Sequence, residues 1–233
     1  MIQDPITGKS REIDLIAEHY EFKKERSSFK CASIIRFVFE IKNNIFPIVL
    51  LTQFEFSPNI EDWMGLKEAL TLPSNINYDS LDSYYENLIH KSGNHIYTQY
   101  CSFHKKKRND ELMALHPESI YSGLVKITYF CEQMVELTDR DLIYETEDKD
   151  EYFRHFLYLP VLLINDNLYE LKNSEIEKTE SSILVHNYHY KNEPKMAYVF
   201  VVTKKGFSHF VNSMLKLEDE VEQKMIDIIK GTA

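Results

Sequence analysis

With 233 residues, 43% of them hydrophobic and only 6 Gly and 7 Pro, the chain has material for one folded domain and lacks the composition of a disordered one. The formal net charge of -10, from 37 acidic and 27 basic residues, counts against a uniformly basic surface but leaves room for a local basic patch. Cys31, Cys101 and Cys131 are too few and too widely spaced for a disulfide framework or a zinc knuckle. The polar start "MIQDPITGKSRE" and the lack of any run of about 20 apolar residues exclude a signal-peptide or membrane-helix reading. A cytoplasmic location, away from membranes, is the expectation.

Pro5 and Gly8 mark a turn-rich lead-in, after which residues 12–18 read as a short strand. Residues 19–31 are polar and suit a loop or a hairpin extension. From Cys31 to Lys42, β-branched and aromatic residues predict a longer strand. Asn43-Asn44 suits a tight turn, because Asn tolerates left-handed backbone. Residues 46–54 form the next strand, with Pro47 at its start, where a missing donor matters least. No regular pattern emerges over 55–78. Helical spacing appears over 80–91 (Leu81, Tyr84, Tyr85, Leu88) and again over 117–137, where Ile120, Leu124, Ile127 and Cys131 line one stripe behind Pro117. Beyond the acidic "ETEDKDEYF" come strand candidates at 156–164, 168–171, 183–190 and 197–203, then an amphipathic helix from 207 to 230. No internal repeat is present.

The strand over 31–42 carries an oddity. Side chains alternate between faces, so Ile34, Arg36, Val38, Glu40 and Lys42 share one face, and Ile35, Phe37, Phe39 and Ile41 the other. Both faces are mainly apolar up to residue 39, the pattern of a strand covered on each side. Charge then appears at its C-terminal end. Burying Glu40 and Lys42 costs several kcal/mol per ion unless each is paired. The bland alternative is a charge pair on an exposed edge.

Phosphodiester hydrolysis would give such a group a use. Carboxylates hold Mg²⁺ through oxygen, and the ion polarises the phosphate and lowers the pKa of a bound water. A lysine two residues along the strand faces the same way and can orient or deprotonate that water. Asp14, from a neighbouring strand, would be the second acid. Without a cation the two carboxylates would repel each other.

Asp14 in "REIDLIA", followed by the Glu40-Ile41-Lys42 triplet in "FEIKNN", resembles the motif of the PD-(D/E)XK nuclease superfamily, nearest its Mrr-like and Holliday-junction-resolvase-like branches. The resemblance covers residues 4–53. It implies an α/β, restriction-endonuclease-like fold, with a mixed sheet of about four central strands flanked by helices. An additional C-terminal β-rich region and a terminal helix would be appended to that core. It further implies a single nuclease-like domain over 1–233, with a catalytic core at 4–53, a helical middle at 80–137, and C-terminal strands and helix at 156–230. Asp14 and Glu40 would bind Mg²⁺ (or Mn²⁺), with Lys42 serving the water. DNA would be the partner, a homodimer an allowed arrangement, and restriction or phage defence the setting. A catalytically inactive module of the same fold, binding nucleic acid or protein, is the alternative. The family's usual helix ahead of the first strand has no counterpart before Asp14.

Other residues are read more loosely. Glu12, two residues from Asp14, is either an extra ligand or a shaper of local charge. Gln99 is a candidate supporting group. Lys105, Lys106, Lys107 and Arg108, beside Tyr100 and Phe103, are candidates for contacting a DNA backbone, or else form a solvated loop. His186 and His189 have no partner at ligand spacing and read as structural or surface residues.

Overall fold

The computed structural model describes residues 2–3, 10–24, 30–54, 65–72, 95–105, 111–144 and 152–229. Two short strands, β1 (Ile2–Gln3) and β2 (Ser10–Arg11), pair with each other. The remaining strands are β3 (Leu15–Lys24), β4 (Lys30–Lys42), β5 (Ile48–Phe54), β6 (Lys67–Thr71), β7 (Ile96–Lys105), β8 (Leu112–Leu115), β9 (Tyr152–Ile164), β10 (Leu168–Lys172), β11 (Glu175–Lys178), β12 (Ser181–Tyr190) and β13 (Glu193–Thr203). Helix α1 (Glu118–Tyr144) precedes β9, and α2 (Phe207–Ile229) follows β13.

The fold is α/β. Among the described residues one mixed sheet of 11 strands runs in the order β11-β10-β5-β7-β12-β13-β9-β4-β3, with β6 also on β9 and β8 also on β7. Among the described residues, each of its faces is covered by one helix. Cys31, Ile35, Phe37 and Phe39 pack with Phe210, Met214, Leu217 and Met225 of α2. Val38 and the far-side residues Leu162, Leu184 and Val201 pack with Ile120, Leu124, Ile127 and Cys131 of α1. The alternation read in β4 is thus real burial on both faces. Cys31, Cys101 and Cys131 are free and buried.

Strand β4 is flanked along its length, antiparallel to β3 and parallel to β9. On its other side β9 changes partner midway, pairing β6 through residues 154–158 and β13 through residues 161–164. Pro160 falls between the two stretches, so its missing N–H coincides with the change of partner. That is how a proline sits inside a central strand. Two-residue turns at Asn173-Ser174 and Lys191-Asn192 have positive φ at both positions, the geometry that matches hairpin twist.

Several expectations change. The first strand starts at Leu15, not at residue 12, and runs on to Lys24, so much of the polar stretch is hairpin. Asn43-Asn44 is not a tight turn: neither residue has positive φ, and β5 pairs with β7 and β10 rather than with β4. Asn44 instead accepts a hydrogen bond from Asn165 N at 2.9 Å and donates to Phe46 O at 3.0 Å, fixing a connection between strands that are distant in the sheet. Residues 67–71 form β6 within a stretch without a sequence pattern. The middle of the chain is not all helical, since β7 and β8 lie within it. The helix expected over 80–91 lies outside the described residues. The C-terminal strands are not appended to a core either, because β12, β13 and β9 stand between β7 and β4.

Candidate functional site

Asp14 and Glu40 meet because of strand register. Leu15 pairs with Phe39, so the residue before Leu15 stands across from the residue after Phe39. Both then face the α1 side, as alternation requires. Ile13, packed into the α1-side core, anchors the approach of the chain. Asp14 Oδ2 accepts a hydrogen bond from Ile41 N at 2.8 Å. Glu40 is only 3% exposed. Lys42 Nζ lies 2.6 Å from Glu40 Oε1, so the two form a buried-end ion pair rather than an edge decoration.

A third group completes the cluster. Lys126 of α1 directs its ammonium against Glu40 Oε2 and stands 3.5 Å from Asp14 Oδ1. The repulsion expected between the acids is therefore answered by a lysine. Gly123, one turn earlier on the same helix face, makes the approach feasible. A Cβ there would meet Glu40 Cγ at 2.9 Å and Lys42 Cε at 3.2 Å.

Two oxygen donors thus converge on one cationic point, which is the donor chemistry a hard divalent ion takes. Asp14 and Glu40 fit such an ion, provided that the ammonium of Lys126 moves aside.

The other candidate residues separate. Glu12 is exposed and precedes β3. Gln99 does not come to the cluster: it lies on β7, four strands from β4, and accepts a hydrogen bond from Thr52 Oγ1 at 3.2 Å. Lys105 ends β7, while Lys106, Lys107 and Arg108 lie outside the described residues. His104, on β7, borders a cavity that Lys42 also lines.

Sequence reading missed Lys126, which lies far from the motif in the chain. Its signal was a glycine and a lysine three residues apart, flanking the apolar stripe of a helix. It also missed a second polar group beneath the far half of α1. There Lys67 Nζ lies 2.7 Å from Glu132 Oε2, Tyr188 donates to the same oxygen at 2.7 Å, and Lys195 stands 3.7 Å from Oε1. Burial pulls Lys67 below its ordinary pKa, partly countered by Glu132. Burial raises Glu132, yet the charge and hydrogen bond of Lys67, with help from Tyr188 and Lys195, leave it below the usual range. A cavity of about 530 Å³ opens beside these residues.

On the α2 face, Glu21, Asp219 and Glu222 offer carboxylate oxygens within 4.8 Å of one another, an acidic cluster able to hold a metal ion. His186, packed between Tyr121 and Tyr188, is held down to about 4 by burial. It is a neutral core residue, as its sequence context suggested.

No helix among the described residues is long and apolar enough to cross a membrane. No family model, curated protein or solved structure matches the chain.

Proposed function

We propose that the chain is a Mg²⁺-dependent endonuclease that hydrolyses DNA phosphodiester bonds at the Asp14–Glu40–Lys42 cluster. The observation that carries this reading is the convergence of Asp14 and Glu40 on a single cationic point, with Lys42 2.6 Å from Glu40 at the same strand end. When bound, the ion would polarise the phosphate and acidify a water. Asp14 and Glu40 would hold it. Lys42, kept beside Glu40, would orient the attacking water and offer a positive charge to a phosphate oxygen. Glu40 lies near the end of a strand whose Val38 packs with Leu124 and Ile127 of α1, so its carboxylate is buried, while Asp14 stays open to solvent and to a substrate.

The test is metal-dependent nicking of supercoiled plasmid. The wild-type chain is expected to nick with Mg²⁺ or Mn²⁺, and Glu40→Ala to lose nicking. Equal rates for the two would end the proposal.

A second reading is favoured by Lys126. An ammonium already standing between the acids suits a nuclease-like module that has lost its ion and binds nucleic acid or protein instead. On that reading Mn²⁺ leaves the melting temperature of the chain unchanged, and neither protein nicks.

A further inference from the structure

We infer that the cavity beside Lys42 takes a single unstacked nucleotide, its base held by Phe46 and His104 and its phosphate directed toward Lys42. This deepens the phosphodiester reading and rests on it for the identity of the phosphate.

The cavity measures about 380 Å³, within the range of about 300–1,000 Å³ typical of small-ligand sites. It lies at the C-terminal end of β4, which runs parallel to β9 and through it to β13. Ligands in α/β sheets gather at that end of parallel strands. It adjoins the cluster through Lys42, which lines the cavity and also contacts Glu40.

The lining suits a base better than a bare anion. Phe46 and His104 stand with ring centroids 3.8 Å apart and ring planes tilted by 34°, and Phe46 remains 41% exposed. Pro117, Ile48 and Ile120 add apolar wall. The two rings lie against each other, which leaves the solvent-exposed side of Phe46 to stack on a nucleobase without regard to sequence. Polar recognition comes from within: Ser102 is 3% exposed, borders the cavity, and makes no side-chain hydrogen bond among the described residues. Its hydroxyl can donate to or accept from a base edge. The wall is also braced by hydrogen bonds. Asn165 donates to Asn43 Oδ1 at 2.5 Å and through its backbone N–H to Asn44, while Asn44 donates to Phe46 O. A preformed pocket loses less ordering entropy on binding.

One base plus one phosphate describes either a nucleotide extruded from a strand or a free mononucleotide. A base must leave the helix to enter such a pocket, so a duplex with an unpaired nucleotide should be favoured over a perfect one.

Binding measured in EDTA separates this inference from cleavage. The probes are a duplex with one bulged 2-aminopurine, the fully paired duplex, deoxyadenosine 5′-monophosphate and inorganic phosphate. The expected result is tighter binding of the bulged duplex than of the paired one by about tenfold, the scale of one base–aromatic stack. Phe46→Ala should erase that preference and leave paired-duplex binding unchanged. His104→Ala, which removes the ring that Phe46 rests on, provides a second variant with the same expected loss. Binding of the mononucleotide without bulge preference, lost in Phe46→Ala, would assign the pocket to a free nucleotide. The inference is overturned if no nucleotide probe binds better than inorganic phosphate, or if Phe46→Ala and His104→Ala bind all probes as wild type does. Plasmid nicking by a chain that fails this test would leave the hydrolase reading standing alone.

Discussion

A methyl group on Gly123 would stand 2.9 Å from Glu40 Cγ, so helix α1 passes tightly over strand β4 at the buried Glu40 side chain. Glycine inside a helix costs about 1 kcal/mol relative to alanine. Here that cost is offset by contact with the charged group.

Gly123→Ala therefore reverses the usual sign. The neighbouring atom is the Cγ of a buried side chain rather than a free end, so overpacking should destabilise the chain by about 1–3 kcal/mol. Urea unfolding measures this. A more stable variant would show that α1 can shift without disturbing Glu40.

Lys126→Met removes the ammonium between the acids. Without metal the variant should lose about 3 kcal/mol, because Glu40 keeps only Lys42 as a charge partner. With Mn²⁺ the gain in melting temperature should exceed that of wild type, since the ion no longer competes with a lysine. Loss of stability with no metal response in either protein would favour the inactive module.

Lys42→Ala should abolish nicking and leave the Mn²⁺-induced gain in melting temperature nearly intact. The lysine serves water and phosphate, whereas the oxygens come from Asp14 and Glu40. Nicking at the wild-type rate would remove Lys42 from the mechanism.

His186 makes stability depend on acid. Its folded pKa is about 4, held down by burial, against an ordinary value near 6.5. Below about pH 6.5 the unfolded chain takes up a proton that the folded chain refuses until about pH 4, so stability is full above that window and falls through it. The loss should approach about 3 kcal/mol, and His186→Phe should flatten it. Urea midpoints from pH 7.5 to 4 provide the check. An unchanged profile in the variant would assign the acid sensitivity to other groups.

Lys67→Met should cost about 3 kcal/mol by leaving the Glu132 carboxylate with only Tyr188 and the more distant Lys195 as partners. Adding Glu132→Gln should recover most of it, since the amide oxygen still accepts from Tyr188. A double variant no more stable than Lys67→Met would mean that the loss came from packing of the lysine stem.

The parts of this molecule that could be read from its sequence are those set by short-range pattern. The alternation in residues 31–42 foretold a strand buried on both faces, and the helical stripe through Ile120, Leu124 and Ile127 foretold α1. Asp14 and Glu40 could be paired on paper because one hairpin joins their strands. Lys126 could not, since its place depends on how a helix packs across the sheet. Gln99 failed for a related reason. Alternation fixes the face a side chain takes, not the lateral order of strands, and β12, β13 and β9 intervene. Residues 99–105 belong to β7, whose alternation is interrupted in the sequence by polar and basic residues.

The interleaved strand order also sets a timetable. Every residue of β4 from Lys30 to Lys42 is paired with β9, a strand made only after α1 has been synthesised. Such distant pairing forms late, after local hairpins and helices. A chain still emerging from the ribosome would display Asp14 and Glu40 on an unsupported hairpin, with neither Lys126 nor the cavity beside Lys42 in place. Whatever chemistry the cluster performs is withheld from the nascent chain until the last strands close around it.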